Sequence, residues 1–173
     1  MKIEDDFLEQ KNFDTLRTIM MGSNLAWFFN DCIVSKDDIL RFQFTHSFFL
    51  DCNRNSEYFP ILNPILSKIQ PISIWRIKTN LLTKTPNIVK NQFHIDMEFI
   101  ISEEKLKQWT TSIFYINTNN GYTEFQDGRI AMENTKVKSV ANRLVTFPAN
   151  LRHRGTSCTD EKTRVVINFN YFK

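Results

Sequence analysis

From residue 72 onward the chain is cut into six short apolar runs, "ISIWRIKTNLL", "FHIDMEFII", "TTSIFYINT", "GYTEF", "RLVTFPA" and "TRVVINFNYF", separated by polar turns. Runs of this length, rich in Val, Ile, Phe, Tyr and Thr, read as strands. Six of them within about a hundred residues call for an antiparallel sandwich or barrel, with the N-terminal helices packed on one face. Upstream, residues 14–29 read as a helix capped by Asp14, with Leu16, Ile19 and Met20 at helical spacing and Gly22 interrupting it before an extended segment. Residues 40–50 alternate as a strand with Leu40, Phe42 and Phe44 on one side. Residues 56–70 read as a helix entered through Ser56, which Pro60 and Pro64 cut into short turns.

With 173 residues and 42% hydrophobic content, one domain is expected over 1–173, with helical support to about residue 70 and a β core over about 72–172. The 16 Phe are expected to pack mostly between sheets. Twenty-two basic against 19 acidic residues leave a net charge of +3, spread along the chain. That excess does not indicate nucleic acid as a partner. Cys32, Cys52 and Cys158 lack any CxxC pair and leave one thiol over, as in a reduced cytosolic protein. The opening "MKIEDDFLEQK" is acidic, without the apolar stretch of a signal peptide. No apolar run approaches the roughly eighteen residues of a membrane span. There is also no glycine-rich phosphate loop, no GxSxG elbow and no Cys with an evident His partner.

The chemistry-bearing stretch is "FHIDME". In a strand, His94 and Asp96 project the same way, as a chelating arm of one imidazole and one carboxylate. One further imidazole completes the two-histidine, one-carboxylate set that holds non-haem Fe(II). Only His46 and His153 remain. His153 is the better candidate, in the turn-rich "FPANLRHRGTSC", whereas His46 lies in the Phe-rich "FTHSFF" and reads as a buried or edge histidine. On the last strand Val165, Ile167, Phe169 and Tyr171 form one apolar face; Arg164, Val166, Asn168 and Asn170 form the other. An Arg and two amides on a buried strand imply a polar cavity, because such groups need partners away from water. The planar fork of an Arg suits a carboxylate.

The ordered set His94-x-Asp96, His153 and Arg164 resembles the Fe(II)- and 2-oxoglutarate-dependent oxygenases, particularly their small prolyl-hydroxylase-like branch. "SIFYIN", "GYTEFQDG", "NRLVTFPA" and "HRGTSCTDEKTRVVINFNYF" are similar to successive segments of that branch, over roughly residues 72–172 and in family order. The likeness extends to stand-alone oxygenase domains of phages and marine microbes, so a phage is one source to which it points; the expected place is the cytoplasm, the host cytoplasm if the source is viral. Two positions depart from the pattern: Tyr122 stands for a Glu, and Asn142 for a turn Gly that Asn imitates in the left-handed conformation.

The resemblance implies a double-stranded β-helix, a jelly-roll or cupin-like squashed barrel that is mainly β with N-terminal helices. It implies that His94, Asp96 and His153 hold Fe(II), leaving positions for 2-oxoglutarate and O2. Arg164 then binds the distal carboxylate of 2-oxoglutarate, Tyr115 donates its hydroxyl to the same carboxylate, and Asn80 lies near the cosubstrate, although Asn80 read by itself suits a turn or strand end. The reaction implied is hydroxylation of a peptide or small-molecule substrate, first a prolyl residue of a peptide or protein, with release of succinate and CO2. A nucleobase or free amino acid would use the same centre, and a non-enzymatic cupin-like metal-binding module is the remaining alternative. Glu98 and Glu124 are expected to be surface carboxylates, since this chemistry needs no side-chain general base.

Overall fold

The computed structural model describes residues 1–34, 41–97, 100, 102–126 and 134–173. In chain order come β1 (Lys2–Glu4), α1 (Gln10–Met21), β2 (Phe28–Asn30), β3 (Gln43–Leu50), β4 (Asn53–Arg54), a 3-10 turn (Phe59–Leu62), α2 (Asn63–Ile69) and β5 (Ser73–Thr83). They are followed by α3 (Glu103–Lys107), β6 (Trp109–Tyr115), β7 (Tyr122–Phe125), β8 (Thr135–Lys138), β9 (Arg143–Pro148), β10 (His153–Gly155) and β11 (Thr163–Phe172). Among the described residues, the larger sheet runs β1-β9-β6-β11-β5-β3-β2, with β4 paired to β3, and the smaller runs β10-β7-β8. All pairings are antiparallel. Two isolated bridges, Lys90↔Thr156 and His94↔His153, extend the smaller sheet beyond β10. The sheets face each other as a jelly roll, but among the described residues no ladder closes them into a barrel.

β11 is the central strand, hydrogen-bonded to β5 on one side and β6 on the other. Its two faces separate as the alternation predicts. Val165, Ile167, Phe169 and Tyr171 enter the main core with Phe13, Leu16 and Met20 of α1 and Ile65 and Ile69 of α2. Phe114 is fully buried there, meeting Phe7 and Phe13 edge-on at 6.3 and 6.2 Å. Each such aromatic contributes about 1.5–3 kcal/mol relative to an exposed position. The layer between the sheets is smaller: Ile113, Tyr115, Phe125, Val137, Val145, Phe147 and Val166. The expectation that Phe packs mostly between sheets is therefore corrected, because most buried Phe side chains lie between the larger sheet and the helices. The opposing face is given over to polar groups.

Three other expectations are corrected. Helix α1 begins at Gln10 rather than at Asp14, which lies inside it and accepts a hydrogen bond from Gln10 Nε2 at 2.8 Å. A buried stripe of Phe13, Leu16 and Met20 outweighs the capping preference of one Asp. Phe42 is 46% exposed, and Leu40 lies outside the described residues. The run "FHIDMEFII" is no strand where it is described: it makes the His94 bridge and then turns at Asp96–Met97. Met97 is fully buried in a separate cluster with Leu106 and Ala149, which pulls the chain out of the sheet. The prolines act as predicted, splitting residues 59–69 into the 3-10 turn and α2.

Asn142 adopts φ 62°, the left-handed conformation expected of a stand-in for glycine. Its side chain does more. Oδ1 accepts from the Leu8 amide and Nδ2 donates to the Leu8 carbonyl, both at 2.9 Å, while its own carbonyl accepts from Phe7 N at 2.9 Å. The turn thereby ties the N-terminal segment to the sheet. Asn142→Gly keeps the backbone shape and removes two buried hydrogen bonds. Each is worth about 1 kcal/mol, so urea unfolding should show a loss of about 2 kcal/mol. Unchanged stability would show that the clamp on Leu8 contributes nothing.

Candidate active site

His94, Asp96 and His153 converge: one ligand atom from each lies within 4.8 Å of the others. His94 comes from the isolated bridge, Asp96 from the turn that follows and His153 from the start of β10, directly paired to His94. Both imidazoles are oriented in the same way. His94 Nδ1 donates to the Gln92 carbonyl and His153 Nδ1 to the Leu151 carbonyl, each at 3.2 Å and each two residues back. A carbonyl can only accept, so Nδ1 carries a proton, and in the neutral ring the Nε2 lone pair is the one free to bind an ion. Both Nε2 atoms face the Asp96 carboxylate, at 3.8 Å from Oδ1 and 3.9 Å from Oδ2.

Asp96 is held by the larger sheet. Arg76 Nη2 donates to its Oδ1 at 3.2 Å, and Asn170 Nδ2 to its Oδ2 at 3.0 Å. Arg76 Nε in turn donates to Asn170 Oδ1 at 3.2 Å, joining β5 to β11 beneath the carboxylate. Burial pushes the Asp96 carboxyl up, but His153, Arg76, His94 and the Asn170 hydrogen bond outweigh it and hold its pKa at about 2. Burial brings His153 down to about 4, so its imidazole is neutral near pH 7. Two imidazoles and one carboxylate suit a divalent ion. Among the described residues no fourth His, Cys, Asp or Glu joins them, which leaves coordination positions for other ligands.

The cavity beside the triad reaches along β11 to Arg164. This guanidinium is 3% exposed. Its Nε donates to Ser139 Oγ at 2.8 Å and its Nη2 to Thr123 Oγ1 at 3.1 Å, both neutral hydroxyls. No carboxylate among the described residues pairs with it. One glycine makes room for the side chain: a Cβ on Gly121 would lie 2.7 Å from Arg164 Cδ. Tyr115 is fully buried, its ring centre 5.6 Å from the guanidinium carbon, and its hydroxyl donates to Thr123 Oγ1 at 2.7 Å. It therefore stands behind Arg164 and braces the hydroxyl to which that guanidinium donates.

Asn80 is not at a turn or strand end. It lies well inside β5, opposite Val166, and lines the cavity with its buried Oδ1 unpartnered among the described residues. His46 is the structural histidine expected, its Nδ1 2.7 Å from the Ala26 carbonyl and its Nε2 2.8 Å from Ser56 Oγ. Glu124 is not a surface carboxylate: it is 3% exposed, bound by Arg154 Nε at 2.7 Å and Asn134 Nδ2 at 3.3 Å. Residues 124 and 154 are direct partners in the β7–β10 pairing, so the ion pair clamps that ladder. Glu98 lies outside the described residues. Sequence reasoning missed Arg76 and Lys78; the signal was the polar alternation Arg76, Lys78, Asn80 within an apolar run. The cysteines are free, as expected. Among the described residues no helix is long and apolar enough to cross a membrane.

The sequence matches no protein-family model and no curated protein. The structure is similar to solved folds. A 2OG-Fe(II) oxygenase family oxidoreductase from Burkholderia pseudomallei aligns with TM-score 0.67 and 10% identity, over 95% of this chain and 80% of that one. A prolyl hydroxylase from Trichoplax adhaerens, in complex with a hypoxia inducible factor peptide fragment, aligns with TM-score 0.66 and 13% identity, over 99% and 82%. HygX from Streptomyces hygroscopicus, with nickel and 2-oxoglutarate bound, aligns with TM-score 0.64 and 8% identity, over 98% and 81%. The fold of this chain is thus the jelly roll of the 2-oxoglutarate/Fe(II) oxygenases.

Asn170→Leu leaves the Asp96 carboxylate without its Oδ2 partner. Loss of such an orienting group typically weakens metal binding ten- to a hundredfold. Calorimetric titration with Co(II) should show that decrease with the three ligand residues intact. Equal affinities would mean that Asn170 does not position the carboxylate.

Proposed function

We propose that this chain is an Fe(II)- and 2-oxoglutarate-dependent dioxygenase that hydroxylates its substrate with release of succinate and CO2. The observation that carries the reading is Arg164, a buried guanidinium without a carboxylate partner among the described residues, in the same cavity as a three-donor metal set. A buried charge lacking its counter-ion is costly, so the site is built for an incoming anion. A 2-oxo diacid meets both ends, with a keto acid for the metal and a second carboxylate for the fork of Arg164. The fold shared with solved oxygenases supports the same reading. So does the order of the motifs in the sequence.

In this reading His94, Asp96 and His153 hold Fe(II), which when bound supplies O2 activation coupled to decarboxylation of the keto acid and hydroxylation of a C–H bond. Arg76 and Asn170 keep Asp96 ionised and aimed. The backbone acceptors of His94 and His153 keep both Nε2 lone pairs directed at the ion. Arg164 anchors the distal carboxylate, held in line by Ser139 and Thr123, with Tyr115 bracing Thr123. Asn80 offers its amide in the wall beside the cosubstrate. A bare metal-binding module has no use for an anchored guanidinium. For the substrate, a prolyl residue of a peptide is the first reading, supported by the segments that resemble the prolyl-hydroxylase-like branch. A free amino acid is the second, favoured by a lysine in the cavity wall.

The test is oxygen-dependent formation of succinate from 2-oxoglutarate in the presence of Fe(II). Asp96→Ala should abolish it. Arg164→Met should raise the 2-oxoglutarate concentration for half-maximal rate about 30-fold or more, as truncating one side of a buried charge pair does. Succinate formation that persists in Asp96→Ala would sink the proposal.

A further inference from the structure

Gly155 is a glycine that the described residues do not require. It lies in β10, its φ is outside the left-handed region, and a Cβ placed on it would come no nearer than 3.4 Å to any described atom beyond its chain neighbours. Alanine would fit there. What the missing side chain leaves bare is specific. Among the described residues two atoms lie within 4 Å of that Cβ position, Arg164 Nη1 at 3.4 Å and Asn91 Nδ2 at 3.7 Å. Both nitrogens donate and neither accepts.

Arg164 directs Nε at Ser139 and Nη2 at Thr123, which leaves Nη1 over Gly155. Asn91 is 5% exposed, and its side-chain amide makes no hydrogen bond among the described residues. Its backbone is engaged instead, N donating to the Gly155 carbonyl at 3.0 Å, and this pairing sets the amide beside the glycine. Buried amides are normally paired, so an unpartnered one that shares a bare spot with a guanidinium marks the place of a missing acceptor.

The position of the spot says which acceptor. Asn91, Gly155 and Arg164 all line the cavity that holds His94, Asp96 and His153. Gly155 and His153 share a face of β10 two residues apart, about 7 Å along the strand, which is within the reach of a short diacid. The two nitrogens flank one point and are at most about 7 Å apart, so one carboxylate can accept from both, with an oxygen toward each. A keto or hydroxyl oxygen would meet the same donors, but beside a guanidinium without a carboxylate partner the charged acceptor is the stronger match.

Resting on the oxygenase reading above, we propose that the far carboxylate of 2-oxoglutarate sits over Gly155 between Arg164 and Asn91. Asn91 is then a second anchor for the cosubstrate, and Gly155 the opening that admits it. The guanidinium supplies the charge, the amide fixes where the diacid ends, and a side chain at residue 155 would fill the seat.

The experiment measures calorimetric binding of 2-oxoglutarate, and of pyruvate by competition against it, to the chain loaded with Ni(II). Pyruvate keeps the keto acid and lacks the far carboxylate. Asn91→Leu nearly keeps the volume and removes the donor. It should weaken 2-oxoglutarate about tenfold or more, as loss of a hydrogen bond to a charged group does, and pyruvate by no more than about twofold. Gly155→Ala should act in the same way without lowering the melting temperature. Unchanged 2-oxoglutarate affinity in either variant would overturn the proposal and leave the spot to solvent. An equal loss for the two keto acids, or a loss of Ni(II) affinity, would assign these residues to the frame of the site and overturn it as well. Failure of the underlying reading looks different: 2-oxoglutarate would not bind the unaltered chain, or Arg164→Met would leave its affinity unchanged.

Discussion

The structure depends on a central strand buried on both faces. β11 is paired along nearly its whole length to β5 and along most of it to β6, so its backbone has no open edge and its side chains meet protein above and below. One face is apolar and seals the helical layer; the other carries Arg164, Val166, Asn168 and Asn170. Burying three polar side chains in a row is unfavourable unless each finds a partner. Asn170 finds Asp96, and Arg164 finds two hydroxyls. Asn168 Oδ1 has no partner among the described residues. The site is the set of partners that this strand requires, some supplied by the chain and some left for ligands.

The electrostatics of the cavity follow from that arrangement. Asp96 is the carboxylate of its described lining, engaged by Arg76 and Asn170, faced by two imidazoles and acting on Lys78 through its charge, whereas Arg164 lines the same space with no carboxylate partner among the described residues. A divalent ion at the triad would make the cavity more positive still. Such a cavity favours an anionic ligand. The smaller sheet supplies what the strand cannot: His153 and the hydroxyl of Thr123.

Much of this was legible in the residues because alternation has a short range. The two faces of β11 could be read from "TRVVINFNYF" alone, since period two holds wherever a strand is paired on both sides. Asn142 could be read as a left-handed turn residue for an equally local reason. "FHIDMEFII" misled because the same alternation exists there without the pairing. A turn at Asp96–Met97, stabilised by the burial of Met97 and by donors from β5 and β11, gives the His94–Asp96 convergence that strand geometry was expected to give. Glu124 misled because its charge partner, Arg154, is thirty residues away along the chain.

By itself the amino-acid sequence determined the β-rich core, the polar face of the last strand and the four residues His94, Asp96, His153 and Arg164 as a family-like set. Those properties are carried by residue type and spacing, which the chain displays without folding. Only the tertiary structure decided that Arg76 and Asn170 aim the carboxylate, that Tyr115 stands behind Arg164, and that Lys78 and Asn80 line the cavity between them. These depend on which strands become neighbours and in what register, and a register is settled by the burial of the whole sheet at once.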